Sequence, residues 1–345
     1  MSAANGDPLW RAVDELLDRA SVQGIRANKL GALAARLRRR AGRPVPPALA
    51  GDERGAAVAV TMARPLLEHI RSLCDGPLVL LKGPEVARLY PGSARVFVDV
   101  DLLAGDAHAA QRALLAAGYT EVWDEPFVLR QHLRPLRSPT LGLKVELHTV
   151  PNWPPGRTPP PLQEILDRSA AASIGVDGIV APDPLHHTLI LAAHAWSHEP
   201  LETLRDLVDV AAMARGCSEA ELARTAAAWD IPRVWRTTRA AIAALFESGP
   251  TTMPLQIWAR HLPSVRERTL FANHLMRWLH SFWELPPGAA AGQLGAAFRM
   301  TLLPAPGESW GEKLARTGHS LRHPGEPMSS HSLWSEEIHR RRAGS

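Results

Sequence analysis

Cysteine, tyrosine and long apolar runs are all scarce in this 345-residue chain. Its two cysteines, Cys74 and Cys217, lie far apart and form no C-x-x-C pair. That argues against a disulfide scaffold and a cysteine-built zinc site. No run of about 18 apolar residues occurs, so no membrane span is expected. The N-terminus carries Asp14, Glu15 and Asp18 in a polar helical pattern, which is not the profile of a signal peptide. Internal repeats are absent. Basic runs occur at "RLRRR" (36–40) and in the C-terminal "HRRRAGS", but no aromatic-rich surface accompanies them. They read as a solubilising helix face and a frayed tail; nucleic acid is compatible with them but not indicated. What remains is a soluble, cytoplasmic protein without membrane contact. Its 46% hydrophobic content can fill real cores, and its length suits two domains.

Periodicity divides the chain. Residues 8–40 and 53–73 carry amphipathic helical patterns separated by the breaker "GRPVPPALAGD". "PLVLLKG" then reads as a short buried strand ending at Gly83, and "PEVARLY" as a helix with Pro84 in its first turn, where a missing N–H does no harm. "RVFVDVDLLA" is a strand. "GDAHAAQRALLAAGY" is a helix with Asp106 as N-cap and Gly118 as its stop. "TEVWDE" and "FVLRQHLRPL" pattern as antiparallel strands, and "LGLKVELHTV" as a further one. "PNWPPGRTPPPL" holds six prolines in twelve residues and cannot continue a sheet or helix. It reads as a linker, with a lid carrying Trp153 over the site as the rival. Helical patterns follow from about 184 to 284, with Trp229, Trp235, Trp258, Trp278 and Trp283 as packing residues. The expected organisation is an α+β protein: an N-terminal helical segment (1–75), a small mixed-sheet core (76–150), a Pro-rich linker (151–165), a helical domain (166–290) and a loosely ordered tail (291–345).

The chemistry concentrates in "LLKGPEVARLYPGSARVFVDVDLLAGD". Side chains alternate along a strand, so Asp99 and Asp101 share a face with Phe97 and Leu103, while Val96, Val98, Val100 and Leu102 share the other. Two carboxylates about 5 Å apart at an effective dielectric near 20 repel by on the order of 3 kcal/mol. Such a pair calls for a cation, or for one protonated member. In "KVELH" Glu146 and His148 lie opposite the apolar Val145 and Leu147. If this strand pairs near the D-x-D strand, Asp99, Asp101 and Glu146 form an oxygen-ligand set for Mg²⁺ with room for a triphosphate. The turn after Lys82-Gly83 opens a helix and is placed for an anionic phosphate, and Lys82 or Arg95 would neutralise charge developing on pyrophosphate.

These residues resemble the core of the DNA polymerase β-like nucleotidyltransferases. More narrowly, they are similar to a bacterial, largely uncharacterised nucleotidyltransferase family with L-K-G followed by R-x-x-x-D-[IV]-D-L-L. "VPPAL", "VELHTV" and "AAHAWSH…LETLRDLVDVAAM" extend the likeness over roughly residues 10–280. The resemblance implies transfer of a nucleoside monophosphate from a nucleoside triphosphate to an acceptor, with release of pyrophosphate and Mg²⁺ or Mn²⁺ as cofactor. It implies Asp99 and Asp101 as the metal pair, Glu146 as third carboxylate, and Gly83 as the glycine of the phosphate turn. One departure stands out. Broader relatives have Gly-Ser or Gly-Gly, whereas Pro84 offers neither hydroxyl nor N–H, so phosphate binding shifts to Lys82, Arg88, Arg95 or later N–H groups.

The acceptor is open: a protein side chain or other protein partner, a small molecule, and an RNA end all fit. His148 reads either as an acceptor or phosphate contact or as a strand residue. His187, His194 and His198 share a helix face, with His194 a candidate for the cleft. Arg205 either reaches the nucleotide or pairs with Glu202 or Asp209 on its own helix. The competing function is a catalytically impaired, nucleotidyltransferase-fold binding or antitoxin-like module, fed by Pro84. A glycosyltransferase reading of D-x-D is disfavoured, because the motif follows too little α/β structure.

Overall fold

Strand β1 (Leu78–Leu80) is apolar at every position because both of its faces are covered. Leu78 and Leu80 join one hydrophobic cluster, while Val79 and Leu81 join another on the opposite face. In this computed structural model, which describes residues 7–123, 131–304 and 308–330, β1 belongs to a seven-stranded mixed sheet. The other strands are β2 (Asp99–Ala104), β3 (Thr120–Glu121), β4 (Leu136–Arg137), β5 (Lys144–His148), β6 (Ser169–Ala171) and β7 (Ile179–Pro182). Their order is β3-β4-β5-β2-β1-β7-β6. β2 runs antiparallel to β1 and parallel to β5, with Asp101 opposite Glu146.

Four helices precede the sheet: α1 (Pro8–Asp18), α2 (Val22–Ala27), α3 (Gly31–Arg40) and α4 (Pro47–Leu73). The long patterns at 8–40 and 53–73 are thus redistributed. The first breaks at short turns, and α4 starts inside the expected breaker, because Pro47 at the first helical position costs no hydrogen bond. α4 and α6 (Ala107–Ala116) cover one sheet face. Asp106 caps α6 through the Ala109 N–H at 2.8 Å, and Gly118 follows it at φ +91°, as the sequence predicts. α5 (Pro84–Ala87) is a single turn after β1. The basic run on α3 is a solvated face with local partners: Arg39 pairs with Glu53 at 2.8 Å and Arg38 with Asp18 at 3.8 Å.

The other face of the sheet meets a helical assembly. It comprises α7 (Leu162–Asp167), α8 (Pro184–His198), α9 (Leu204–Met213), α10 (Glu219–Ala228), α11 (Pro232–Phe246), α12 (Met253–Ile257), α13 (Leu270–Leu279) and α14 (Ser281–Glu284). Trp229, Trp235 and Trp258 are buried within it.

Three expectations change. The strand read over 95–104 begins only at Asp99; Val98 is 60% exposed and Phe97 turns into the α4 side, so residues 95–98 do not alternate. The proline-rich segment is anchored rather than slack. Trp153 is 1% exposed, packs edge-on to Trp229 at 5.8 Å, and its backbone is clasped by Gln131 through two 2.8 Å bonds. That burial removes Trp153 as a stacking lid, and β6 and β7 return the chain to the sheet beyond residue 165. Finally, α15 (Pro287–Leu302) and α16 (Trp310–Arg322) stand where a loose tail is expected. α16 carries a Ser309/Glu312 capping box, and Thr269 bridges to Pro327. All of "FVLR", which opens the expected hairpin strand, and the C-terminal "HRRRAGS" lie outside the described residues.

Candidate active site

Asp101 and Glu146 meet because β2 and β5 pair in parallel with these two residues in register, on the face opposite Val100, Leu102, Val145 and Leu147. Neighbouring strands lie about 4.8 Å apart, so side chains in register on one face are in reach of each other. His148, fully buried two residues along β5, donates from Nε2 to Asp101 Oδ1 at 3.2 Å, and the same nitrogen lies 3.9 Å from Glu146 Oε2. One candidate ligand atom from each of Asp101, Glu146 and His148 falls within a 4.8 Å span. Asp99 precedes Asp101 on β2, at the floor of a cleft of about 600 Å³.

The three carboxylates do not titrate alike. Burial alone would raise Asp101, but the His148 hydrogen bond, with the charges of His148, Lys82 and Arg95, outweighs it and holds Asp101 at about 2. Burial, then repulsion from Asp101, raises Asp99. Burial, then repulsion from Asp101 and Asp99, pushes Glu146 up to about 8. Like charges sharing a site force this kind of separation. A hard divalent cation removes the conflict, and an oxygen-rich donor set suits Mg²⁺ or Mn²⁺ better than a softer ion.

Cations line the same cleft. Lys82, at the end of the β1 segment, lines the cleft with Arg205 and Asp206 from α9 and Lys29 from the α2–α3 turn. Burial lowers the Lys82 pKa, against the charges of Asp101 and Asp206. His132 and His194 also line the space, with His194 Nδ1 3.1 Å from the Asn152 amide nitrogen. Gly83 occupies φ +65°, and a Cβ there would sit 3.3 Å from the Asp99 carbonyl oxygen, so the turn packs tightly under β2.

Other predicted residues fall differently. Arg95 lines the cleft, yet its guanidinium is committed to Asp209 by two bonds, Nε–Oδ1 at 2.8 Å and Nη2–Oδ2 at 2.7 Å. Tyr90 donates to the same carboxylate at 2.6 Å, and all three residues are buried. Arg205 therefore does not pair with Asp209; it reaches Asp206 at 3.5 Å. Arg88 does not border the cleft and instead pairs with Glu85 at 2.6 Å. His187 is buried, 2.6 Å from the Leu81 carbonyl, and serves packing. The reading of the sequence does not anticipate Lys29, Asp206 or His132 at the cleft, nor the tie of Asp209 to Arg95. No helix among the described residues is long and apolar enough to cross a membrane.

No curated protein and no solved structure gives a significant match. A family model described as "Uncharacterised nucleotidyltransferase" matches residues 11–247, which include every strand and both walls of the cleft. The chain belongs to this uncharacterised nucleotidyltransferase family, and is on that ground a transferase of phosphorus-containing groups.

Proposed function

We propose that this protein moves a nucleoside monophosphate from a nucleoside triphosphate to a hydroxyl-bearing acceptor and releases pyrophosphate. The observation that carries this reading is the parallel register that sets Glu146 beside Asp101, with Asp99 next to them, on the floor of a cleft that Lys29, Lys82 and Arg205 also line. Asp99, Asp101 and Glu146 are the residues that would hold Mg²⁺ or Mn²⁺. When bound, such an ion supplies charge neutralisation at the reacting phosphate.

The chain's own groups do the rest. His148 orients Asp101 and keeps it ionised. Glu146, pushed up to about 8, is suited in its ionised form to take the proton that the acceptor hydroxyl loses. The acceptor oxygen forms a bond to the α-phosphorus as the bond from that phosphorus to the bridging oxygen breaks, and the electron pair leaves with pyrophosphate. Lys82 and Arg205 balance the charge gathering on the leaving group. The rival reading, a module that binds nucleotide without turnover, draws on Pro84, which has no N–H to offer phosphate.

The test is α-labelled transfer with each of the four NTPs, Mg²⁺ or Mn²⁺ and a cell extract as acceptor source, with pyrophosphate release followed in parallel. Metal-dependent labelling that Asp99→Asn/Asp101→Asn abolishes supports transfer, and the labelled species gives the acceptor class. Silence with all four nucleotides, alongside NTP binding by calorimetry, supports the binding module instead.

A further inference from the structure

Pro84 removes one N–H from the phosphate turn, and α5 behind it is only four residues long. A phosphate chain bound in this cleft needs donors from side chains. Five cations line it: Arg26, Lys29, Lys82, Arg95 and Arg205. Two are committed elsewhere, Arg26 to Asp52 at 3.0 Å and Arg95 to Asp209. Arg205 reaches Asp206 through one nitrogen at 3.5 Å, and its buried Nε has no partner among the described residues. Among those residues the ammonium groups of Lys29 and Lys82 have no hydrogen-bonded or ion-paired partner. Asp206 feels the charge of all three, and Lys29 also faces Glu202. Asp99, Asp101 and Glu146 also feel the charge of Lys82, and Asp99 that of Arg205, so the cations are offset through space, while the Lys29 and Lys82 ammonium groups make no direct ion pair among the described residues.

Lys29 is also held in an uncommon backbone conformation, at φ +57°. The left-handed region is disfavoured for a side chain of this kind, and such positions concentrate at functional sites. Its neighbour Asn28 fixes it there. The buried Asn28 amide donates to Gly24 O and Arg266 O and accepts from Leu204 N, each at 2.9 Å. One side chain thus locks the turn bearing Lys29 to the start of the helix bearing Arg205.

We propose that Lys29, Lys82 and Arg205 form the subsite for the phosphate chain of the donor, with Lys29 a substrate-binding residue at its outer end. This assignment rests on the nucleotidyl-transfer reading, yet its test can be separated from that reading. Binding of inorganic tripolyphosphate would be measured by calorimetry in wild type, Lys29→Asn, Lys29→Arg and a surface control, Arg64→Asn. Asn tolerates the left-handed region, so Lys29→Asn keeps or raises the unfolding midpoint. Binding should weaken roughly tenfold to a hundredfold in Lys29→Asn, as expected for a lost charge-assisted contact. Lys29→Arg should stay within about threefold of wild type, since the cation is retained. The proposal is overturned if wild type does not bind tripolyphosphate, if Lys29→Asn binds within twofold of it, or if Arg64→Asn loses as much. Lys29-dependent binding in a protein that transfers no label would uphold the subsite and sink the transfer reading; transfer with binding indifferent to Lys29 would do the reverse.

Discussion

The two walls of the cleft are built by opposite means. The acidic wall is a product of strand register: β2 and β5 align Asp101 with Glu146, and the same alternation that buries Val100 and Val145 sets the carboxylates on the other face. Its charges conflict with one another, as the raised Asp99 and Glu146 show. The cationic wall is assembled over long chain separations by helix packing. Asn28 bonds Leu204 across 176 residues, and Arg95 grips Asp209 across 114. Here the buried Arg95 and Asp209 are matched, while Lys29 and Lys82 make no direct ion pair among the described residues. One wall stores electrostatic strain for a ligand to relieve, and the other is braced so that its free cations stay in place.

The sharpest way to break this contrast is to remove a carboxylate from each side. Glu146→Gln should lower label transfer by roughly 10²–10⁴-fold, the scale of a lost general base. In chelator-treated buffer at neutral pH it should also raise stability by about 1–3 kcal/mol, because folding no longer has to protonate a carboxyl group that is ionised in the unfolded chain and pushed up to about 8 in the folded one. Urea unfolding of both proteins checks the second half; a destabilised Glu146→Gln would mean that the acidic wall carries no strain. Asp209→Ala should do the opposite. It strands a buried guanidinium and should cost about 3–5 kcal/mol in the same assay. It should also raise KM for the nucleotide, since Arg205 and Asp206 share α9 with Asp209. A change under about 1 kcal/mol would show that the two halves of the cleft are held by apolar packing alone.

The contrast also explains what the sequence could reveal. Period-two alternation in "FVDVDLL" and "KVELH" is local, so the shared face of Asp99, Asp101 and Glu146 is readable once the two strands are taken as neighbours. The braces are not local: nothing in "GIRANKLG" indicates that Asn28 reaches α9, or that Asp209 is claimed by Arg95 rather than by Arg205 beside it. Arg88 fails for a similar reason, since Glu85 one turn earlier on the same short helix takes its charge. Pro-rich composition misleads at 151–162, where Trp153 supplies enough buried surface to fix a segment without regular backbone bonds. In the C-terminal part the Ser309-x-x-Glu312 capping box is a legible helix start, masked by the Gly, Ala and Pro around it.

A smaller effect tests how the cationic wall is braced from behind. His261 is 5% exposed, and its Nε2 donates to the carbonyl of Glu202 at 2.8 Å, beside α9. Burial first, and then the charge of Arg268, lowers its pKa to about 4; Arg266 also opposes protonation, while the Glu202 and Trp258 carbonyls favour it. The unfolded chain, with an ordinary histidine near 6.5, binds the extra proton between pH 6.5 and 4 when the folded protein does not. The stabilisation is therefore complete above about 6.5 and lost as pH falls through 4, to an extent of about 3 kcal/mol. The acidic wall moves the other way. Glu146, raised to about 8, contributes most below its unfolded value and loses that contribution as pH rises through 8. Unfolding free energies of wild type and His261→Gln between pH 4 and 7 isolate the histidine, because glutamine can still donate to Glu202 but does not titrate. The advantage of wild type should shrink steadily on acidification, and nucleotide affinity should weaken with it as the brace behind Glu202 loosens. Parallel stability curves for the two proteins would remove His261 from the set of groups that hold this wall in place.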